Sequence, residues 1–346
     1  MPPTSPQELS DGTLGKISRV REERSDEILR AMVTPRFGGA DLFEERDVQR
    51  PEPETGEVLV RVVAAGTNPV DAKFRAEGDS IGLEAPIVLG ADVSGVVEEV
   101  GPGVTDLAPG DEVYYTPEVF GPRSNGAYAE YHAAGANIVA RKPASLSHEE
   151  AAAVPLAGGT AYEALVRRLA LRVGETILIH GGAGGVGSFA VQIAKAAGAR
   201  VLATAGPDNQ EMLEQLGADV AIDYRSQDAT EVALEQTGGV GVDAVFDAVG
   251  GETIVESISA TRPFGRLATI LGAQGDLTPL YQKNQTLYGV FLTRERARLE
   301  ELGALIERGQ VSPLLDEVLP LEEVGKAHAR LDSGHGRGKV VLRAGE

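Results

Sequence analysis

A glycine-rich stretch between an apolar run and a helical pattern most strongly constrains how this chain folds. Residues 175–199 read ETILIHGGAGGVGSFAVQIAKAAGA. Before the glycines stands the short apolar run Ile177 to Ile179, typical of a buried strand. After them, apolar residues recur three and four positions apart, at Val186, Phe189, Ala190, Ile193, Ala194 and Ala197. This spacing places them on one helix face, so the segment predicts a strand, a tight turn and a helix.

The glycines of this turn match the G-x-G-x-x-G pattern at Gly182, Gly184 and Gly187, with Gly185 and Val186 between the last two. In this pattern Gly182 permits the tight turn, Gly184 lets the backbone approach a pyrophosphate, and Gly187 lets the helix pack on the strand. Free N–H groups and the positive end of the helix dipole then face the phosphates. We therefore predict a dinucleotide site here; the alternative is a tight βα turn without a ligand.

Composition narrows the classes of protein that this chain can represent. Its 346 residues suggest about two domains, and it contains no cysteine, which removes disulfides and thiolate metal ligands. No apolar run approaches the roughly 20 residues of a membrane span, and we expect a cytoplasmic protein without a signal peptide. The net charge of −20 argues against binding nucleic acid or an anionic membrane. That charge favours either plain solubility or adaptation to high salt.

The pattern along the chain divides it into parts. Residues 1–29 read as a tail with a short helix near Glu22 to Arg30. A β-rich part follows, and within it Asn68 and Pro69 form a helix start, with Asp71 and Arg75 as a candidate i,i+4 ion pair. After the glycine turn, strands and helices alternate as in a doubly wound sheet, with a further strand at residues 287–292 and a helix at 295–309.

Six sequence blocks in one order carry a resemblance to a known family. They are GTNPVDAKFR (66–75), VLGADVSGVVEEVG (88–101), GDEVY (110–114), GAYAEY (126–131), AAAVPLAGGTAYEAL (151–165) and GGAGGVG (181–187). Together they resemble the medium-chain dehydrogenase/reductase superfamily, and most nearly its zinc-free, zeta-crystallin-like quinone oxidoreductase branch. The resemblance implies an α/β fold in which a Rossmann doubly wound parallel sheet is inserted into a β-rich GroES-like catalytic domain.

The same resemblance implies domain limits and an assembly. We expect an N-terminal extension at 1–29, the first part of the catalytic domain at 30–154, the NADP-binding Rossmann domain at 155–292 and the return to the catalytic domain at 293–346. In relatives the region of the last Rossmann strand joins two subunits through their sheets. A homodimer is therefore expected, and an exposed apolar strand edge that needs covering gives this a physical reason.

The sequence departs from the zinc-dependent members of the superfamily at the metal ligands. Those members read G-H-E where this chain has Gly90, Ala91 and Asp92, and the loop at 116–125 lacks a four-cysteine module. The five histidines show no close ligand spacing. Because tetrahedral zinc needs nitrogen or sulfur donors, we predict no metal.

The second strand of the predicted Rossmann domain bears on the choice of cofactor. An NAD enzyme usually has Asp or Glu about 20 residues after the glycines, where this chain has Thr204, Ala205 and Gly206. A neutral strand end tolerates a 2′-phosphate, and the resemblance implies NADPH, with Tyr224 beside the adenosine ribose phosphate and Arg225 as the nearest cation. NADH remains open, because Asp208 can replace the missing acid.

Other cofactor contacts are expected at strand ends or are implied by the resemblance. Val249, Gly250, Leu271 and Gly272 end two predicted strands and should line the nicotinamide side, unless they are ordinary βα turns. The resemblance implies that Thr160 bonds the nicotinamide amide, with helix capping as the alternative. It also implies that Lys339 touches the cofactor, with a plain closing strand as the alternative, and Phe291 is a candidate for the pocket wall.

The chemistry that remains is hydride transfer to an activated acceptor. No Ser-His-Asp arrangement is suggested by spacing, and without a Lewis acid an isolated carbonyl is hard to polarise. A quinone or an α,β-unsaturated carbonyl spreads the charge to an oxygen that one or two hydrogen-bond donors stabilise. The resemblance makes Asn68 and Lys73 the candidate donors, although Lys73 can equally be a solvated helix lysine. The alternatives are a non-catalytic NADPH-binding protein and a metal-free alcohol dehydrogenase.

Overall fold

The computed structural model describes residues 28–118, 125–334 and 336–345. Residues 1–27, which form most of the predicted tail, lie outside the described residues. The predicted short helix at 22–30 is wrong over the described residues 28–30, because Ile28–Thr34 is a strand whose side chains are buried except at Ile28 and Arg30. No helix in the described ranges is long and apolar enough to cross a membrane.

The first part of the chain is built from strands. They are β1 (Ile28–Thr34), β2 (Glu44–Gln49), β3 (Glu57–Gly66), β4 (Ile87–Val88), β5 (Asp92–Val100), β6 (Glu112–Tyr115), β7 (Tyr131–Gly135) and β8 (Ala140–Arg141). Strand β3 is rich in valine and pairs antiparallel with both β5 and β7, so it is buried along most of its length. Strands β1, β2 and β4 form a separate small sheet in the order β2-β1-β4.

One helix of this part, α1 (Pro69–Glu77), begins as the sequence predicts. Asn68 is its N-cap, Pro69 is its first residue, and Asp71 completes a capping box with Asn68. The predicted Asp71–Arg75 ion pair is not formed, because the Asp71 carboxylate accepts the Asn68 N–H at 2.9 Å. Arg75 instead binds both carboxylate oxygens of Asp332, each at 2.8 Å. A capping carboxylate turned toward the helix start cannot also reach a side chain one turn further on.

A short helix, α2 (His148–Ala152), and two helical segments lead into a second, parallel sheet. These segments are α3 (Pro155–Tyr162) and the π-helical turn Glu163–Arg168. The sheet contains β9 (Thr176–His180), β10 (Arg200–Ala205), β11 (Val220–Asp223), β12 (Val242–Asp247), β13 (Thr261–Thr269) and β14 (Thr286–Gly289). Its helices are α4 (Gly185–Ala196), α5 (Gln210–Gln215), α6 (Ala229–Gln236), α7 (Thr253–Ala260) and α8 (Thr278–Gln282). The strand order β11-β10-β9-β12-β13-β14 is that of a Rossmann sheet.

The last part of the chain returns to the first sheet. It consists of α9 (Arg296–Glu307), β15 (Leu315–Pro320), α10 (Val324–Asp332) and β16 (Lys339–Arg343). Strand β16 pairs antiparallel with β3, with Leu342 opposite Ala65, and parallel with β15. The predicted class of fold is therefore confirmed, with a parallel sheet inserted into an antiparallel, GroES-like one. The predicted boundaries at residues 154 and 292 fall between the two sheets and remain predictions of where each domain ends.

Two predicted elements differ in extent. The strand expected at 287–292 ends at Gly289, which leaves Phe291 beyond it. The helix expected at 295–309 runs from Arg296 to Glu307.

Candidate active site

The glycine turn joins β9 to α4. The sequence pattern assigns the tight turn to Gly182. In the structure it is Gly181 that has left-handed backbone, with a φ of +73°. A Cβ on Gly182 would lie 2.8 Å from a methyl carbon of Leu213, and one on Gly187 would lie 2.0 Å from the carbonyl oxygen of Gly181. Gly182 and Gly187 are therefore needed for packing within the protein.

The first turn of α4 has no side-chain cap. Gly184 is the N-cap and offers no side-chain acceptor to the first turn, so the N–H groups of Gly185, Val186 and Gly187 have no partner within the helix. In the part of the chain that the structure describes, a Cβ on Gly184 would meet only the Gly181 carbonyl oxygen at 3.4 Å, an ordinary contact. Gly338 forms a β-bridge with Gly184 on one side, while Gly184, Gly185 and Val186 remain partly exposed. The partly exposed N–H groups beside Gly184 fit a pyrophosphate, which binds helix N-termini through such groups.

Thr204, near the end of β10, holds the glycine turn through two hydrogen bonds. Its hydroxyl accepts the Gly181 N–H at 3.2 Å, and its carbonyl oxygen accepts the Gly182 N–H at 2.9 Å. Since Thr204 is 3% exposed, its side chain holds the turn and does not face a ribose directly. That role was not evident from the sequence, where Thr204 only occupies the place of a missing acid.

The residues expected at the adenosine end lie together on the surface. The ring of Tyr224 comes within 4.0 Å of a Cβ built on Gly206, which follows β10. Tyr224, Arg225 and Asp208 are all exposed. This corner therefore offers an aromatic face and a cation. It also carries the Asp208 carboxylate, so the choice between NADPH and NADH is not decided here.

Two buried residues that were not predicted from the sequence hold the strand ends at which the nicotinamide was expected. Asp247 accepts the N–H groups of Val249 at 2.9 Å and Gly250 at 3.1 Å, and it receives the Thr269 hydroxyl at 3.1 Å. Val249 and Leu271 remain 54% and 38% exposed on the turns so formed. Asp247 could have been found from its position at the end of β12, since an acid there caps the following turn.

The second of these turns is tied to the first. Gly251 donates its N–H to the carbonyl oxygen of Gly272 at 3.0 Å, so Gly250 and Gly272 belong to neighbouring turns at one sheet edge. This edge carries the carboxyl ends of parallel strands, where ligands of such sheets bind.

Thr160 and Phe291 occupy different surroundings. Thr160 is 6% exposed and lies inside α3, whose N-cap is Val154. Phe291 is 72% exposed, beyond the end of β14. Its neighbour Leu292 is buried against Gly159, whose built Cβ would lie 3.5 Å from a Leu292 methyl carbon.

Asn68, Asp92 and Lys339 form a buried group, called here the polar cluster. The Asn68 side chain donates to Asp92 Oδ2 at 2.9 Å and accepts from the Lys339 ammonium. Lys339 also lies 3.1 Å from Asp92 Oδ2 and donates to the Thr67 carbonyl oxygen at 2.8 Å. Burial raises the pKa of Asp92, and the Lys339 charge opposes that rise. Lys339 was expected to touch the cofactor, but its ammonium is directed into this cluster.

A second buried group, Asp71, Tyr128 and His328, adjoins the polar cluster. The Tyr128 hydroxyl donates to Asp71 Oδ2 at 3.3 Å and lies 3.1 Å from His328 Nε2. Burial, followed by the nearby Asp92 charge, raises the pKa of Asp71 from 3.8 to about 7. Burial also lowers the pKa of His328 to about 3, so this histidine is neutral near pH 7. Lys73, one turn along α1, is exposed to solvent.

Ala91 occupies the position at which zinc-dependent members of the superfamily have a histidine. Ala91 is fully buried, and the Asp92 carboxylate is engaged by Lys339, Asn68 and the Leu156 N–H, the last at 2.7 Å. Across the described residues, no group of three or more histidine or acidic side chains could hold a metal ion. The residues present do not fit a catalytic zinc site, and a metal-free protein remains our prediction.

A serine, a histidine and a glutamate do come together elsewhere, although spacing did not suggest it. Ser94 Oγ lies 2.8 Å from His148 Nδ1, and His148 Nε2 lies 3.3 Å from Glu112. Ser94 is fully buried and also donates to the Val113 carbonyl oxygen at 3.3 Å. These contacts tie β5, β6 and α2 together.

Comparison with known proteins gives the chain a family. A model described as an alcohol dehydrogenase GroES-like domain matches residues 54–144, and one described as a zinc-binding dehydrogenase matches residues 216–342. The chain is 36% identical over 324 residues to the chloroplastic NADPH-dependent alkenal/one oxidoreductase of Arabidopsis thaliana, covering 91% of this chain and 79% of that protein. It is 36% identical over 320 residues to a quinone oxidoreductase of Pseudomonas aeruginosa, covering 88% of this chain and 97% of that protein.

A solved structure agrees with these relatives. An alcohol dehydrogenase superfamily protein from Novosphingobium aromaticivorans superposes with a TM-score of 0.86 at 37% identity, covering 92% of this chain and all of that one. The likeness in sequence and in fold extends over both sheets. The chain therefore belongs to the medium-chain dehydrogenase/reductase superfamily, in its quinone oxidoreductase branch, as its six sequence blocks predicted.

Proposed function

We propose that this protein reduces quinones or α,β-unsaturated carbonyl compounds by hydride transfer from NADPH, without a metal ion. One observation carries the proposal: a single side chain joins the open glycine turn to Asn68. The Lys339 Cδ would lie 3.1 Å from a Cβ on Gly185, and its ammonium binds the Asn68 side chain. The relatives named for alkenal/one and quinone substrates support the same reaction class.

Bound NADPH would supply the hydride. A conjugated acceptor that gains a hydride at carbon carries the new electron pair on its oxygen, which afterwards takes a proton from water. We assign to Asn68 the donation of an N–H to that oxygen, because hydrogen-bond donors fixed in advance stabilise developing charge. The apolar side chains of Val249 and Leu271 would exclude water from the nicotinamide face.

The experiment is NADPH oxidation by the purified protein with 1,4-benzoquinone, 9,10-phenanthrenequinone and short enones. We expect turnover with at least one of these classes. Tight NADPH binding without any turnover would instead favour the non-catalytic alternative, and turnover only with simple alcohols would favour a metal-free alcohol dehydrogenase. Zinc is measured on the same sample by mass spectrometry, and near-stoichiometric metal would contradict the metal-free proposal.

The preference for NADPH over NADH is part of the proposal. It is supported by the neutral strand end at Thr204 and by the exposed Arg225, which can meet a 2′-phosphate. We expect kcat/KM to be higher with NADPH, and Arg225→Ala to lower it for NADPH only, with NADH as the internal control. A preference for NADH of more than about tenfold would instead point to Asp208 as the ribose acid.

We further propose a homodimer joined through the edge of β14. Several apolar side chains near this edge are exposed, including Phe264 (68%) and Tyr281 (71%). An uncovered edge strand flanked by apolar groups promotes pairing with a second chain. Light scattering during size-exclusion chromatography should give twice the chain mass of 36.2 kDa. A mass of one chain at micromolar concentration would contradict the dimer.

A cytoplasmic location belongs to the same proposal. It is the default location for a chain of this composition, and the similarity to a bacterial quinone oxidoreductase is consistent with it. Cell fractionation with an antibody to the protein tests it, and recovery outside the cytoplasmic fraction would contradict it.

A further inference from the structure

Lys339 is almost fully buried at the start of β16, with 4% of its surface exposed. Its ammonium has three protein acceptors: the Thr67 carbonyl oxygen at 2.8 Å, Asp92 Oδ2 at 3.1 Å and the Asn68 amide oxygen. An ammonium group carries three N–H donors. All three are therefore directed into the protein, which leaves none for a phosphate.

The same contacts determine how the Asn68 amide is oriented. An ammonium can only donate and an ionised carboxylate can only accept. The amide oxygen must therefore face Lys339 and the amide nitrogen must face Asp92, whose Oδ2 is 2.9 Å away. An amide NH₂ has two hydrogens. Asp92 takes one of them, so at most one N–H is available to a substrate, and the Asp71 carboxylate competes for it.

We infer that Lys339 is a positioning residue, which holds and polarises the Asn68 amide so that its remaining N–H binds the substrate oxygen, and that it is not a ligand of the cofactor phosphates. This inference rests on the proposed function. A cation on the amide oxygen draws electron density from the nitrogen, because hydrogen bonds in a chain strengthen one another in a low-dielectric interior. Asp92 then locks the rotamer and balances the buried lysine charge.

The contacts of the lysine stem suggest the variant to use. Lys339 Cδ would lie 3.1 Å from a Cβ on Gly185, and the Gly338 N–H donates to the Ala183 carbonyl oxygen at 2.9 Å. Methionine keeps an unbranched stem beside the glycine turn and removes only the ammonium. Lys339→Met alone leaves Asp92 buried without its cation, a change that commonly destabilises a protein strongly. The double variant Lys339→Met/Asp92→Asn removes both charges and is the informative one.

The kinetic experiment compares this double variant with the unaltered protein. We expect kcat to fall about 10- to 100-fold, as for the loss of one charge-assisted hydrogen bond. The NADPH dissociation constant, measured by nucleotide fluorescence, should stay within about threefold, since the phosphates lose no ligand. Lys195→Met is the matched control, because Lys195 forms an exposed pair with Asp219 at the far end of α4. An NADPH affinity lowered tenfold with unchanged kcat would overturn the inference and make Lys339 a cofactor ligand.

A second readout does not depend on turnover. The asparagines of the chain are Asn68, Asn125, Asn137, Asn209 and Asn284, so selective ¹⁵N-asparagine labelling gives a simple set of side-chain amide signals. The Asn68 pair should be inequivalent and shifted downfield in the unaltered protein, and should move toward ordinary positions in the double variant. An Asn68 signal that does not change contradicts the inference. If the unaltered protein shows this signal yet turns over no acceptor, the proposed function fails and the contact between Lys339 and Asn68 still stands.

Discussion

At the scale of single residues, Asp71 has the least ordinary chemistry in the described site. It is 1% exposed, lies near the Asp92 carboxylate and accepts hydrogen bonds from the Asn68 backbone and from Tyr128. These donors favour the charged form, but burial and the nearby Asp92 charge outweigh them, which raises the pKa to about 7. The folded protein therefore binds a proton at Asp71 more tightly than the unfolded chain does.

This raised pKa predicts a stability change with pH. The unfolded carboxyl titrates near 3.8 and the folded one near 7, so the contribution of Asp71 is fully present below about pH 4 and is lost as the pH rises toward 7. At about 1.4 kcal/mol per pKa unit, the change amounts to a few kcal/mol. Asp71→Asn should remove it, so that the variant gains stability relative to the parent between pH 4.5 and 8.

Urea unfolding at several pH values measures this difference. Asp79→Asn serves as the control, since Asp79 is an exposed acid just after α1. A difference in unfolding free energy between Asp71→Asn and the parent that does not vary with pH would show that Asp71 has an ordinary pKa.

Lys73 carries a prediction of the same scale. It is exposed on α1, between the buried Ala72 and Phe74. If Lys73 donates a hydrogen bond to the substrate anion, as proposed from the resemblance, Lys73→Ala should lower kcat about tenfold or more while NADPH affinity is nearly unchanged. Glu77→Ala, an exposed change on the same helix, is the control. Turnover equal to that of the control would remove Lys73 from the mechanism and leave it a solvated helix lysine.

At the scale of elements, the glycine turn separates two reasons for having glycine. Gly187 lies against protein backbone, so packing alone accounts for it. Gly184 has room for a Cβ in the protein, and its φ of −75° and ψ of 175° suit any residue. Among the described residues, nothing requires glycine at position 184, which is the expected result when a ligand sets the requirement.

This contrast predicts opposite outcomes for two similar substitutions. Gly187→Ala should destabilise the protein by about 2 kcal/mol or more, because the new Cβ overlaps the Gly181 carbonyl. Gly184→Ala should cost less than about 1 kcal/mol, and should weaken NADPH binding at least tenfold by crowding the pyrophosphate. Thermal unfolding and nucleotide fluorescence on both variants measure the two effects. If Gly184→Ala bound NADPH as tightly as the parent, the turn would not be the phosphate site.

At the scale of the whole molecule, the net charge of −20 is the property that no single element explains. Self-repulsion of such a surface is screened at high salt, where the Debye length falls to about 3 Å at 1 M. If the surface is adapted to salt, the melting temperature should rise by several degrees between 0.05 and about 1 M KCl. Sucrose at matched osmolality is the control, because it stabilises compact states without screening charge. A melting temperature that does not rise with KCl leaves plain solubility as the reason for the charge.

Much of the architecture could be predicted because local patterns repeat in it. The run Ile177–Ile179, the glycines after it and the periodic apolar residues of α4 each favour the same local structure, and neighbouring strands continue the pattern. Element ends were predicted less well. The strand expected at 287–292 stops at Gly289, and residues 28–30, predicted to be helical, belong to β1. Pairing with other strands decides such limits, and residues distant in sequence supply those partners.

By itself the sequence determined the glycine turn, the cap of α1 and the lack of thiolate ligands, because each depends on residues that are neighbours in the chain. Only the tertiary structure decided the partners of the long polar side chains. Arg75 joins Asp332 instead of Asp71, and Lys339 reaches Asn68 across 271 positions of the sequence. A buried charge must find an opposite charge or a hydrogen-bond partner wherever the fold supplies one. The fold therefore decides which residues meet at the site, and the local sequence cannot encode that choice.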